Sequence, residues 1–313
     1  MEHGPGLVHK PAEARSSLKS SFDDTAHIRA LQHCTDVPEQ QPAFDLAVTE
    51  AGISNKTVWV RLPQGRIPFS ADIAVNLPPA VKGIHMSRME EVVSELYETD
   101  FSDLRQYGCA LADRVLERQH GTRVRIELRG KIPHLSRTVI SDKVSVDSAE
   151  ISAEIILEKD SAPLVTMGLS LHHITACPCT QLYNRELPGF PADSSLLPTH
   201  SQRSLTTIRV TSRDNALSYD DLFLCLSKAL HTTQDLLKRP DEAEIVYRSH
   251  GQPQFAEDTV RETARAAGTI LGNRLPGDAF LVITSLSFES IHIHDVRCEI
   301  RTPLHRLTEL LSS

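Results

Sequence analysis

The sequence predicts an α+β fold with antiparallel sheets covered on one face by helices. Three observations carry this. The order strand, strand, helix, helix, strand, strand occurs once in each half of the 313-residue chain. Arg123–Arg129 alternates strictly, Val124, Ile126 and Leu128 against Arg123, Arg125, Glu127 and Arg129, as a half-buried strand with one wet face does. The helical stretches carry apolar stripes at three-to-four-residue spacing, so each needs a sheet or a neighbour to bury against. A chain of this length buries a core without disulfide or metal staples.

Residues 1–44 hold Pro5, Pro11, Pro38 and Pro42 and little periodic apolar pattern, and read as a partly disordered arm. Thr57–Leu62 and Ile73–Leu77 are β-rich runs. A helix starts at Ser87, with Glu90 as a capping-box partner and Met89, Val92, Val93, Leu96 and Tyr97 on its apolar face. A second begins near Ser102, with Leu104, Tyr107, Leu111 and Val115 on one stripe and Gly121 at its end. The Arg123–Arg129 strand and its partner Ser145–Leu157 close a first unit, residues 45–160. In the second unit, residues 161–313, Leu164–Ile174 is a strand, Ala176–His200 an irregular segment, and Leu205–Ser212 a strand. Ser218 caps a helix running to Leu237, Phe255–Leu271 is another, and Ala279–Phe288 with Ile291–Ile300 is the closing strand pair. Open sheet edges call for pairing with another unit or subunit, so an oligomer is expected.

Lys and Arg total 33 against 41 Asp and Glu, a net charge of −8, which argues against a general nucleic-acid binder but allows a local basic pocket for a phosphorylated small molecule. No apolar run approaches a bilayer span, and MEHGPGLVHKPAEARSS lacks the apolar stretch of a secretory signal, so a cytoplasmic protein with reduced thiols is expected. Cys109, Cys225 and Cys298 read as small buried hydrophobes.

Cys177 and Cys179 differ. In Thr175-Ala176-Cys177-Pro178-Cys179-Thr180, two thiols follow a strand on a turn stiffened by Pro178. A Cys-X-Cys disulfide is badly strained, which leaves a metal thiolate, a nucleophile or two structural cysteines. His200 sits in Pro198-Thr199-His200-Ser201-Gln202-Arg203, before a strand. Glu242 ends Leu237-Lys238-Arg239-Pro240-Asp241-Glu242, which taken alone is a basic helix C-terminus followed by a proline stop. Glu257 and Asp258 open a helix, an ordinary acidic first turn. In Glu289-Ser290-Ile291-His292-Ile293-His294 a strand puts both imidazoles on one face; the alternative, a turn at Glu289–Ser290, brings Glu289 round to His292. Together these thiols, imidazoles and carboxylates suit a borderline divalent ion, though their spacing is no zinc-finger pattern.

These stretches, with Lys82-Gly83-Ile84-His85-Met86-Ser87-Arg88, run in the order found in the type IB GTP cyclohydrolases, which the chain resembles over roughly residues 45–302. The Thr-Ala-Cys-Pro-Cys and Pro-Thr-His forms are closer to the archaeal MptA branch, while Ser201 replaces the usual Asn. The resemblance implies two tandem tunnelling-fold modules, an oligomeric barrel and a homotetramer with sites near subunit interfaces, without nucleic acid or membrane. It implies that GTP is hydrolysed to formate and 7,8-dihydroneopterin triphosphate, or its 2′,3′-cyclic phosphate. It implies one divalent ion per subunit (Fe²⁺, Mn²⁺ or Zn²⁺) in the second module, held by Cys177, His200, Glu242 and His292, with Cys179 and Glu289 beside it and Glu257 on the guanine edge. Lys82, His85, Arg88 and Arg203 are candidates for the triphosphate. Two other readings compete. An NADPH-dependent nitrile reductase of the same fold needs a Cys nucleophile and no imidazole after the Glu-Ser-Ile stretch, and His292 argues against it. A non-catalytic purine- or pterin-binding relative is expected to have lost a ligand, and none is lost.

Overall fold

A computed structural model describes residues 24–188, 197–214 and 216–313. Eight strands form one antiparallel sheet in chain order: β1 (Val48–Leu62), β2 (Gly65–Leu77), β3 (Arg123–Arg137), β4 (Val144–Glu158), β5 (Leu164–Ala176), β6 (Ser201–Ser212), β7 (Phe280–Ser287) and β8 (Val296–Pro303). The first turn is two residues long, and Gly65 follows it at φ +122°, a conformation that L side chains rarely adopt. β4 pairs with β5 from Glu150↔Ser170 to Ile156↔Leu164, so the two four-stranded halves share one continuous sheet; the second half carries one helix between its first two strands and three helices before its last two, more than the expected order allows.

The alternation read at Arg123–Arg129 extends across the sheet. Phe69, Ile73, Ile126, Leu128, Ile155 and Met167 lie on the buried face. Against it pack α2 (Met86–Leu96) and α3 (Leu104–Arg118) in the first half, and α5 (Tyr219–Ala229) and α7 (Ala256–Leu271) in the second. The opposite face carries charge: Glu154 of β4 accepts from Arg125 at 2.6 Å and from Arg209 at 3.2 Å. Cys225 and Cys109 pack as small hydrophobes, and burial pushes their thiols up to about 12 and about 11.

Several expectations change. α2 has His85, not Ser87, at its cap, without a side-chain cap bond, and Glu90 pairs with Lys56 at 2.7 Å instead of closing a capping box. The cause is Gln119, whose side chain bonds both the N–H and the C=O of His85 and fixes where the chain enters the helix. Within Ala176–His200 there is a helix, α4 (Pro178–Glu186); Pro178 sits in its first turn, where a missing N–H costs nothing. Residues 189–196 of that segment, and residues 1–23 of the arm, lie outside the described residues. The rest of the arm contains α1 (Asp24–His33) and a 3₁₀ turn, Val37–Glu39, pinned by Lys82 and Gly83 N–H groups to the Pro38 carbonyl at 3.1 Å.

The helix expected to reach Leu237 stops at Ala229. Its extension is pre-empted: the His231 carbonyl accepts from Ile174, and the Thr233, Asp235 and Leu236 N–H groups donate to His172, Asp147 and Ser145. Pro240 then opens a new helix, α6 (Arg239–Gly251), rather than ending an old one. The last strand starts at Val296, so residues 289–295 form a loop between Ser287 and Val296, which are partners in the ladder. A final helix, α8 (Leu304–Ser312), packs Leu307 and Leu311 against Gly268 of α7.

Candidate active site

β5 ends, and β6 starts, at the same end of the sheet, with Ala176 opposite Ser201. Cys177 caps α4 there. Its N–H donates to the His200 carbonyl at 3.0 Å, its carbonyl accepts from the Thr199 hydroxyl at 2.6 Å, and its Sγ accepts from Thr180 Oγ1 at 3.7 Å. Cys177 and His200 are therefore adjacent through main-chain pairing despite 22 intervening positions.

His200 continues into a polar chain. Its Nδ1 faces Gln202 Oε1 at 3.1 Å. Gln202 Nε2 donates to Glu289 Oε1 at 3.2 Å and to Ser287 Oγ at 3.3 Å, and Ser287 Oγ donates to Glu289 Oε1 at 2.9 Å. Gln202 thus fixes the imidazole with Nδ1 protonated and leaves Nε2 for ligation, as an outer partner does for a metal-binding His. Deeper in the sheet, His173 is fully buried with Nε2 at 2.8 Å from Thr206 Oγ1, and burial pushes its pKa down to about 3, so it stays neutral.

Glu242 lies in the first turn of α6, exposed, in a groove with Tyr247, Leu197 and Pro198, the last of these two residues before His200. Asp241 positions that turn. It is 2% exposed and accepts from the Ile140 and Ser141 N–H groups, the Ser141 hydroxyl and the Lys238 N–H, tying α6 to the β3–β4 hairpin. Burial raises its pKa, but these bonds outweigh it and bring the carboxyl down to about 2. His292 is exposed in the 289–295 loop, stacked on His294 with centroids 5.2 Å apart. Among the described residues, no three of Cys177, His200, Glu242 and His292 bring donor atoms within 4.8 Å of one another. Of the four, Cys177 and His200 are joined through the main chain; the Cys177 thiol is half exposed, and the His200 ring is oriented by Gln202. Cys179 is exposed in the first turn of α4. Glu257 is exposed in the first turn of α7, close enough to Cys298 of β8 to raise its thiol pKa behind burial.

A cavity of about 470 Å³ opens at the same end, lined by His134, Arg137, His172, Arg203, Phe223 and Arg248 among others. Arg203 was read from the sequence; Arg137 and Arg248 were not, because three distant segments supply them. Lys82, His85 and Arg88 stand elsewhere. They follow β2, which runs antiparallel to β5, so they lie at the opposite end of the strands from Cys177.

The family model for type I GTP cyclohydrolase folE2 (GCHY-1) matches residues 34–298. The chain belongs to this family. Among its relatives, it is similar to GTP cyclohydrolase MptA of Thermoplasma volcanium, 29% identical over 275 residues that cover 85% of this chain and 94% of that one. It is similar to GTP cyclohydrolase MptA of Methanococcus maripaludis strain C5, 27% identical over 312 residues, covering 90% and 98%. Among solved structures, uricase from Arthrobacter globiformis aligns with a TM-score of 0.48 at 11% identity, over 81% of this chain and 93% of that one. As a type I GTP cyclohydrolase the chain is an enzyme acting on GTP. No described helix is long and apolar enough to cross a membrane. Gln202 and Ser287, which link His200 to Glu289, were missed as working residues; the only sequence signal was the Gln inside Thr-His-Ser-Gln-Arg.

Proposed function

We propose that this enzyme hydrolyses GTP at C8 of the guanine ring, releases formate and yields 7,8-dihydroneopterin triphosphate or its 2′,3′-cyclic phosphate. The observation that supports it is the continuous polar chain from Cys177 through His200 and Gln202 to Glu289. Cys177 and His200 would hold a divalent ion (Fe²⁺, Mn²⁺ or Zn²⁺), with Glu242 and His292 brought to it from α6 and the 289–295 loop. When bound, such an ion supplies water acidified towards a pKa of ~7, the nucleophile a poor electrophile such as C8 demands.

This chain's own residues do the rest. Glu289, held by Gln202 and Ser287, takes and returns protons at the ring nitrogens as the ring opens. Cys179, exposed two residues after Cys177, is the second candidate for that shuttle. Glu257 accepts the guanine N1–H and N2–H₂ pair, a bidentate match that adenine cannot make. Arg203, with Arg137 and Arg248 across the same cavity, receives the triphosphate. Lys82 and Arg88 would reach a triphosphate only from a second copy, which accords with a homotetramer whose sites lie near interfaces and whose second module, residues 161–313, carries the metal. A soluble cytoplasmic setting suits reduced Cys177 and Cys179.

Anaerobic incubation with GTP and each of Fe²⁺, Mn²⁺ and Zn²⁺, with formate and product mass measured, tests the reading. One metal should give stoichiometric formate and a pterin triphosphate mass, linear or cyclic. Absence of formate with every metal, from folded protein, would overturn it.

A further inference from the structure

Away from Cys177, three donors from three segments meet at the other end of the sheet. Glu39 ends the 3₁₀ turn, His85 caps α2, and His120 follows Gln119 at the end of α3. Their ligand atoms all lie within 4.8 Å of one another. Glu39 Oε1 stands 3.6 Å from His85 Nε2 and 3.6 Å from His120 Nε2. Two ligands on one tetrahedral zinc-class ion, each about 2.0–2.1 Å from it, stand about 3.3 Å apart, so these donors need only small adjustments.

A second observation is independent of that clustering. His85 is 7% exposed, and its Nε2 is buried without a hydrogen-bond partner. A buried imidazole nitrogen left unmatched is unfavourable unless something binds it. On the other side of the ring, Asp36 Oδ2 faces Nδ1 at 3.7 Å. A carboxylate there keeps the proton on Nδ1 and turns the Nε2 lone pair towards Glu39 and His120. The scaffold is fixed too: Gln119 clamps the main chain of His85 at 3.0 and 3.2 Å, and Pro38 is held by Lys82 and Gly83.

We propose that Glu39, His85 and His120 form a second divalent-metal site, of the zinc class, separate from the Cys177 end and fastening residues 36–40 onto α2 and α3. Two imidazoles and a carboxylate are a sufficient protein set for a four-coordinate ion with one water. The ion would satisfy His85 Nε2 and share the Glu39 carboxylate with Arg88, whose guanidinium lies 3.8 Å from the same oxygen.

The test uses the full chain. Cys177→Ala removes the thiolate ligand, so zinc held by that protein reports the second site; equilibrium dialysis followed by elemental analysis counts it. About one zinc per chain is expected in Cys177→Ala and none in the Cys177→Ala/His120→Ala double variant, with Glu39→Gln weakening binding on the order of 10–100-fold. His120 is exposed, so its substitution should leave the far-ultraviolet circular dichroism and the melting temperature of the metal-free protein unchanged, while zinc should raise the melting temperature of Cys177→Ala and not that of the double variant. Cobalt-loaded Cys177→Ala should show tetrahedral d–d bands without a thiolate charge-transfer band. Equal zinc in the single and double variants, or none in Cys177→Ala, would overturn the proposal. Loss of zinc on His120→Ala but not on Cys177→Ala would uphold it and count instead against the thiolate site.

Discussion

Replacing Gln202 with Glu probes the polar chain with almost no change of shape. The new carboxylate still accepts from His200 Nδ1, but it places an oxygen where Nε2 donated to Glu289 at 3.2 Å. Two charges at that distance repel by ~5 kcal/mol at an effective dielectric near 20. Both side chains are half exposed, so screening reduces this to about 1–2 kcal/mol, or about one pK unit. A like-charged neighbour raises a carboxyl's pKa. If Glu289 must be ionised to accept a proton, the acid limb of kcat/KM for formate release should therefore move up by about one pH unit. Gln202→Leu, which removes the bonds without adding charge, should lower activity about 10–100-fold with no such shift. Profiles of wild type, Gln202→Glu and Gln202→Leu decide it: a Gln202→Glu profile superimposable on wild type would refute the role given to Glu289 and its tether.

Other outcomes follow from named contacts. Cys177→Ala should abolish formate release while the protein still melts cooperatively, as read by product mass and calorimetry. Glu257→Gln should raise KM for GTP on the order of tenfold or more, through loss of a charged hydrogen bond, and leave metal content unchanged by elemental analysis. Asp241, with its carboxyl lowered from 3.8 to about 2, stabilises the fold fully above its unfolded pKa, and that contribution disappears as pH falls through about 2. Asp241→Asn should flatten the acid-unfolding curve by circular dichroism between those values and reduce activity by loosening the turn that carries Glu242.

The sheet was legible where period-two alternation is clean, as Val124, Ile126 and Leu128 show; the exposed, bulged first half of β1 carried no such signal. The helices between strands were legible where a cap announced them, as Ser218 with Asp221 does. What failed was punctuation by proline. Pro178 and Pro240 each open a helix, and a proline compatible with a first turn looks in sequence like one that ends a helix. The stop at Ala229 was invisible because it depends on Asp147 and Ser145, almost a hundred residues earlier, taking the next backbone groups. For the site, Cys177 and His200 could be named from motifs, but their adjacency comes from β5–β6 register, which no local pattern encodes. Glu39 was overlooked for a different reason: it lies in a stretch without periodicity, and only the docking of Pro38 onto Lys82 and Gly83 gives it neighbours.

The seven-residue seam between β4 and β5 has a mechanical consequence. Hydrogen bonds there, reinforced by Glu154 gripping both Arg125 and Arg209, rule out a hinge between the halves. Accommodation of a nucleotide must then be local, confined to the strand tips and above all to the span from Glu289 to Asp295. In amide exchange, the seam should be the last part of the molecule to take up deuterium and that span among the first.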